Sequence, residues 1–168
     1  MLVLGLSMIL PGAAFAYDSE FGSPRVASHL SQLQVTAGEA SRTADELESL
    51  TRNRVSWQSH ASYLSTLRDS VNRMGGTLSQ LEALKPDASD LQVKAIDHAR
   101  PHLETLAANV EGAILSLNAD KNTIHQIGYR DNLRDIAERA DTLVDTVDAI
   151  RDYEQASLRL GDLEVDLR

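Results

Sequence analysis

The segment HASYLSTLRDSVNRMGGTLSQL, residues 60–81, places His60, Leu64, Leu67, Val71, Met74, Leu78 and Leu81 at alternating steps of four and three. Steps of that kind keep side chains on one stripe of an α-helix, and such a stripe is buried only against another like it. Three more stretches repeat the pattern. The first holds Val26, Leu30, Leu33, Ala37, Ala40, Ala44 and Leu47. Another holds Ile96, Ala99, Leu103, Leu106, Val110, Ala113 and Leu117, and the last holds Tyr129, Leu133, Ile136, Ala140, Leu143, Val147 and Ile150. Four stripes of matching length joined by short breaks predict an all-α fold. The expected architecture is an antiparallel up-down-up-down four-helix bundle with coiled-coil-like heptad seams.

Breakers and caps divide the chain. Residues 1–16 read as a signal peptide: Leu2 to Leu10 is apolar, Pro11-Gly12 interrupts it, and Ala14-Phe15-Ala16 has the small-x-small pattern of a cleavage site before Tyr17. The run departs from the usual leader in having no Lys or Arg ahead of it, and it is too short to span a bilayer. Residues 17–23 form a flexible lead-in. The bundle is expected over 24–160, with helices at about 24–52, 56–84, 88–118 and 124–160 and a frayed tail at 161–168. Pro24 suits a first-turn position, Asn53 or Ser56 can cap the second helix, and Lys85-Pro86 ends it. Asp87 with Asp90 can cap the third helix, and Gly161 marks the end of the fourth.

Composition narrows the function. The uncharged leader leaves the net charge of −9 to the mature part, which disfavours nucleic acid and anionic lipid as partners. The absence of cysteine excludes disulfides, a lipoprotein acylation site, c-type haem attachment and a thiol nucleophile. No cofactor is expected, no membrane span remains after cleavage, and no catalytic constellation can be assembled from the sequence.

A few positions stand out. His98 and His102, four residues apart, are the metal-ligand candidates, weakened by wheel positions off the seam and by the lack of an H-E-x-x-H or E-x-x-H motif. Gly75-Gly76 and Pro101 interrupt continuous heptads. They are expected at one height on adjacent helices, as two matched bends that shape the core or as a shared kink opening a small polar site beside His98 and His102. His60, near the single Trp57, occupies a seam position where a buried imidazole needs a hydrogen-bond partner and can respond to pH. Asp141, Asp145, Asp148 and Asp152 make an acidic stripe opposite the fourth seam, expected in water. Arg54, Arg100, Arg130 and Arg134 suggest no basic cluster, and there is no phosphate-cradling glycine loop.

The motifs Arg54-Val55-Ser56-Trp57 with His60, Lys85-Pro86, Ala99-Arg100-Pro101-His102 and Tyr129-Arg130 resemble those of uncharacterised secreted bacterial four-helix-bundle proteins of unknown function. The resemblance implies export and attention to Trp57, His60 and the Arg100-Pro101-His102 segment; it carries no catalytic residue. The expected function is that of a non-enzymatic periplasmic or secreted bundle binding a protein partner, as a scaffold, chaperone-like or envelope-accessory protein. The alternative is a sensor-type four-helix bundle that binds a small ligand or a metal.

Overall fold

The computed structural model describes residues 22–53 and 55–166, with the side chains of residues 154, 157, 158 and 160–166 outside the description. The signal peptide and cleavage point read in the sequence, most of the lead-in, and Arg54 lie outside the described residues. Four long helices make up the rest: α1 (Pro24–Leu50), α2 (Trp57–Leu84), α3 (Asp90–Ala119) and α4 (Ile127–Asp166). Short 3-10 turns, Lys85–Asp87 and Lys121–His125, fill the two later connections. At about 1.5 Å per residue, the first three helices are about 40–45 Å long and α4 about 60 Å.

Burial follows the heptads. Every seam residue is buried except Val71 and Ile150, which are half-buried. Each helix packs against two others: α1 and α3 both rest on α2 and α4. Contacts along α1 descend as those along α4 rise: Gln34 meets Arg151, Ser41 meets Asp141, Glu48 meets Arg134 and Thr51 meets Arg130. These two helices therefore run in opposite directions. Arg73 bonds Glu39 at 2.9 Å and so sets Met74 of α2 beside Ala37 and Ala40 of α1. A bulky side chain thus meets small ones, which lets the backbones approach and leaves little void.

The helix ends correct several sequence expectations. Ser89, not Asp87, caps α3, in a reciprocal box with Gln92: the Ser89 hydroxyl accepts from Gln92 N, and Ser89 N donates to Gln92 Oε1. Asp87 instead belongs to the 3-10 turn. Ser56, rather than Asn53, caps α2. The segment expected to open the fourth helix, residues 124–126, is 3-10 turn and linker, because Asp120 accepts from Asn122 N and closes a local turn first. Gly161 does not end α4, which runs on to Asp166. A helical glycine costs about 1 kcal/mol but stops a helix only in a left-handed conformation, and no proline follows it.

Gln92 also ties down the start of α1. It is buried, accepts from Ser23 N at 2.9 Å and donates to Ser23 O at 3.3 Å. Gly22 adopts φ +56°, and a Cβ there would stand 2.5 Å from Gln92 Nε2. Only glycine satisfies both the backbone and the space. Among the described residues no helix is long and apolar enough to cross a membrane.

Two outcomes check this packing. Leu67→Asp should abolish cooperative thermal unfolding measured by circular dichroism, since a buried unpaired carboxylate costs several kcal/mol against a total of roughly 5–15. Asp145→Leu, at an exposed site, should leave the melt nearly unchanged. Gln92→Ala should cost about 1–3 kcal/mol in urea unfolding, because it orphans polar groups of both Ser23 and Ser89. Gly22→Ala should destabilise as well, and equal stability of both variants with wild type would refute the tie.

Candidate functional site

His60 opens the second seam, so the helix period carries it into the core at the end of the bundle where α1 meets α2 and α3 meets α4. It is 1% exposed, and its Nδ1 lies 3.2 Å from the phenol oxygen of Tyr129, the first residue of the fourth seam. The rings sit 5.7 Å apart and tilted. Burial, and then the neighbouring His125, hold the His60 imidazole below its ordinary value, so the neutral ring is favoured. Burial pushes the Tyr129 phenol up, which keeps its O–H in place as a partner for that ring. The partner required by the sequence reading is therefore Tyr129, 69 residues away. Trp57, by contrast, is 38% exposed, with Lys121 Nζ 4.7 Å from its ring centroid in a cation–π contact.

Near the same end the structure gathers charges that the sequence reading left scattered. Glu48 is buried at the end of α1, and both of its carboxylate oxygens accept from Arg52 Nη2, at 2.9 and 2.8 Å. Arg134 of α4 approaches the same carboxylate to 3.6 Å. Arg130, one turn earlier on α4, donates from Nε to the Thr51 hydroxyl at 3.0 Å. The hydrogen bond from Arg52, with the nearby charges of Arg134 and Arg130, holds the Glu48 carboxyl below its usual range in spite of burial. Two of the four arginines expected to be unclustered thus meet, together with Arg52. Arg100 goes elsewhere: it pairs with Glu82, which also bonds Lys85 at 2.9 Å, and Lys85 reaches Asp97 at 2.5 Å. That network fastens α2 to α3.

Those ion pairs also set the register of the helix pair and correct the height assigned to the glycine pair. Arg100 meets Glu82 and Asp97 meets Lys85, so Pro101 stands near Leu81, about 8 Å along the axis from Gly76. The reason is the connection. A 3-10 turn and two extended residues, Ala88 and Ser89, precede α3, so the hairpin midpoint falls later than Pro86. Pro101 lies within an uninterrupted α3, exposed, with Thr105 Oγ1 bonded to its carbonyl at 2.9 Å. Gly75 and Gly76 face open space, where an added Cβ would meet nothing within 4 Å. No single site joins these positions.

His98 and His102 stack edge-to-face with centroids 4.9 Å apart. His98 is exposed, while His102 is half-buried with Nδ1 enclosed and without a partner among the described residues. Burial, then His98 and Arg139, depress the His102 imidazole. Among the described residues no group of three or more His, Cys, Asp or Glu is arranged to hold a metal ion. His98 instead lines an open groove of about 560 Å³ between α3 and α4, with Lys94, Ala95, Asp145 and Ile150. The acidic stripe is mostly exposed, but Asp141 accepts from Ser41 at 2.6 Å and Asp148 pairs with Arg151.

The depressed histidines predict a pH dependence with a definite sign. Above about pH 6.5, His60 is neutral in both folded and unfolded chains and contributes no slope. Below it the unfolded chain takes up a proton that the folded chain resists, so stability falls as pH drops from 6.5 towards the lowered value. Urea midpoints should therefore decrease between pH 7 and 5, above the range of most carboxylates. His60→Asn should flatten the decline, and adding His102→Gln should flatten it further. An unchanged slope in the double variant would assign the effect to other groups.

No family model, no curated protein and no solved structure matches this chain.

Proposed function

We propose that the protein is a non-enzymatic periplasmic or secreted helical bundle that acts through protein–protein contacts, in a scaffold, chaperone-like or envelope-accessory role. One observation carries this reading. Five large apolar side chains are exposed among the described residues, and three of them, Trp57, Leu115 and Ile127, belong to the end where α2 and α4 begin and α3 finishes. Ile127 is 76% exposed and Leu115 60%, although the seams beside them are closed. Apolar side chains grouped at one end of an acidic rod suit a partner surface. Lys121, with its ammonium over the Trp57 ring, favours a partner whose apolar patch is flanked by an acidic group. The signal-peptide pattern of residues 1–16 supports export, as does the resemblance to secreted bacterial bundle proteins.

A second reading draws on the groove between α3 and α4. Its volume of about 560 Å³ lies within the range of small-ligand sites, roughly 300–1,000 Å³. A sensor-type bundle taking a small polar ligand beside Lys94, His98 and Asp145 is the alternative. Its openness to solvent counts against it, since ligand sites bury most of their occupant.

Site-specific photo-crosslinking in the exported protein separates the two. A crosslinker at Ile127 should give an adduct of discrete mass, lost on Trp57→Ala, whereas one at the exposed Glu138 should give none. Equal labelling from both positions, or none from either, would count against the contact surface. A melting-temperature rise with a small metabolite, abolished by His98→Ala, would favour the groove.

A further inference from the structure

Three guanidinium groups, those of Arg52, Arg130 and Arg134, gather around Glu48 where the end of α1 meets the start of α4. Glu48 is the one buried acid there, and a single nitrogen of Arg52 already spans both of its oxygens. Arg134 stands off at 3.6 Å and is balanced on its outer side by Asp131 at 3.5 Å. Arg130 makes no direct ion pair among the described residues, although its charge lies near enough to favour ionised Glu48. Its Nε is spent on Thr51, whose hydroxyl is in turn fixed by a 2.6 Å bond to Glu48 O. Its two terminal nitrogens have no partner among the described residues, although the residue is only half exposed. Those nitrogens are not enclosed, so water is their partner, and an anion can replace it with charge-assisted hydrogen bonds.

Position adds to this. Arg52, at 65% side-chain exposure, spends only Nη2 on Glu48, which leaves its Nε and Nη1 without a partner among the described residues. Buried Glu48 and Thr51 aim guanidiniums from two helices at one region, so they need little reorganisation on binding. A carboxylate offers two oxygens in one plane, whereas a phosphate group offers three oxygens to donors arriving from several sides.

We propose that Arg52, Arg130 and Arg134 form a binding site for a phosphate group, free or as a monoester, on the outer surface of the α1–α4 seam. Glu48 and Thr51 are its positioning residues. They hold the guanidiniums without touching the ligand. The site stands independently of the protein-contact reading, since it requires neither Trp57 nor Ile127.

The arginine Nε–H signals of the ¹⁵N-labelled mature protein test it directly. Inorganic phosphate is titrated at constant ionic strength, with chloride making up the balance so that screening does not change. Saturable shifts at Arg52 and Arg130 are expected, with no change at Arg100 in its network with Glu82. Arg130→Gln should weaken the affinity at least about tenfold, the scale of one lost charge-assisted bond, while Arg100→Gln leaves it unchanged. Shifts that grow linearly without saturation, or an affinity unaltered in Arg130→Gln, would overturn the site. If Arg130→Gln does not fold by circular dichroism, Arg52→Gln, at an exposed side chain, carries the same expectation. Glycerol 3-phosphate distinguishes the sources: tighter binding than inorganic phosphate assigns a monoester, and equal or weaker binding assigns the free ion.

Discussion

An apolar stripe on a lone helix leaves roughly 25 cal/mol unrealised for each Å² that stays in water. A helix of 27 to 30 residues gains little stability from propensity alone. The four stripes of this chain therefore depend on one another. Burial of Leu33, Leu67, Leu106 and Leu143 in a common interior is the interaction on which the other features rest. Ala37, Ala40 and Ala44 narrow α1 on the face that meets Met74 of α2, so the two backbones can approach closely. One consequence is chemical: with the interior filled, titratable groups either sit at the ends of the seams, as His60 and Tyr129 do, or lie at the surface.

Polar interactions choose the register among these stripes. Heptads alone allow a helix to slide by one repeat at modest cost, since each repeat looks much like the next. The Arg100–Glu82–Lys85–Asp97 network fixes α2 against α3. Glu48 with Arg52 and Arg134, and Thr51 with Arg130, fix α1 against α4. Gln92 fixes the start of α1 against the start of α3. Exposed ion pairs contribute little energy, about 0–1 kcal/mol each. Pairs built on a buried acceptor such as Glu48 penalise a slipped register, because slippage would strand that charge.

The two ends of the rod consequently differ. At one end the Lys85–Asp87 turn and the hydrogen bonds of Gln92 to Ser23 and Ser89 close the structure. The opposite end carries a buried histidine, a half-buried arginine and exposed Trp57, Leu115 and Ile127. Natural surfaces seldom group apolar side chains and underused donors without a use for them. This asymmetry is the reason that both a contact surface and an anion site are assigned there, on different side chains.

The helices and nearly all of the core were legible in the sequence, because the heptad is a local signal: burial of Leu64 and Leu67 follows from their own spacing. His60 could likewise be placed in the core, and its need for a partner stated, from one segment. The identity of that partner could not, since Tyr129 lies 69 residues away and only helix packing brings it within 3.2 Å. Helix boundaries were less legible. Ser89 and Asp87 are both competent caps, and the choice fell to Ser89 because Gln92 bonds both its own N-cap and Ser23. The arginine cluster was hidden for the same reason as Tyr129. Arg52 follows α1 and Arg130 and Arg134 belong to α4, and only the register of those helices sets three guanidiniums around one carboxylate. A sequence determines which faces must be buried, because each face is a property of a single helix. Which charges then converge is decided by how the helices align, because side chains distant in sequence meet only across a packed interface.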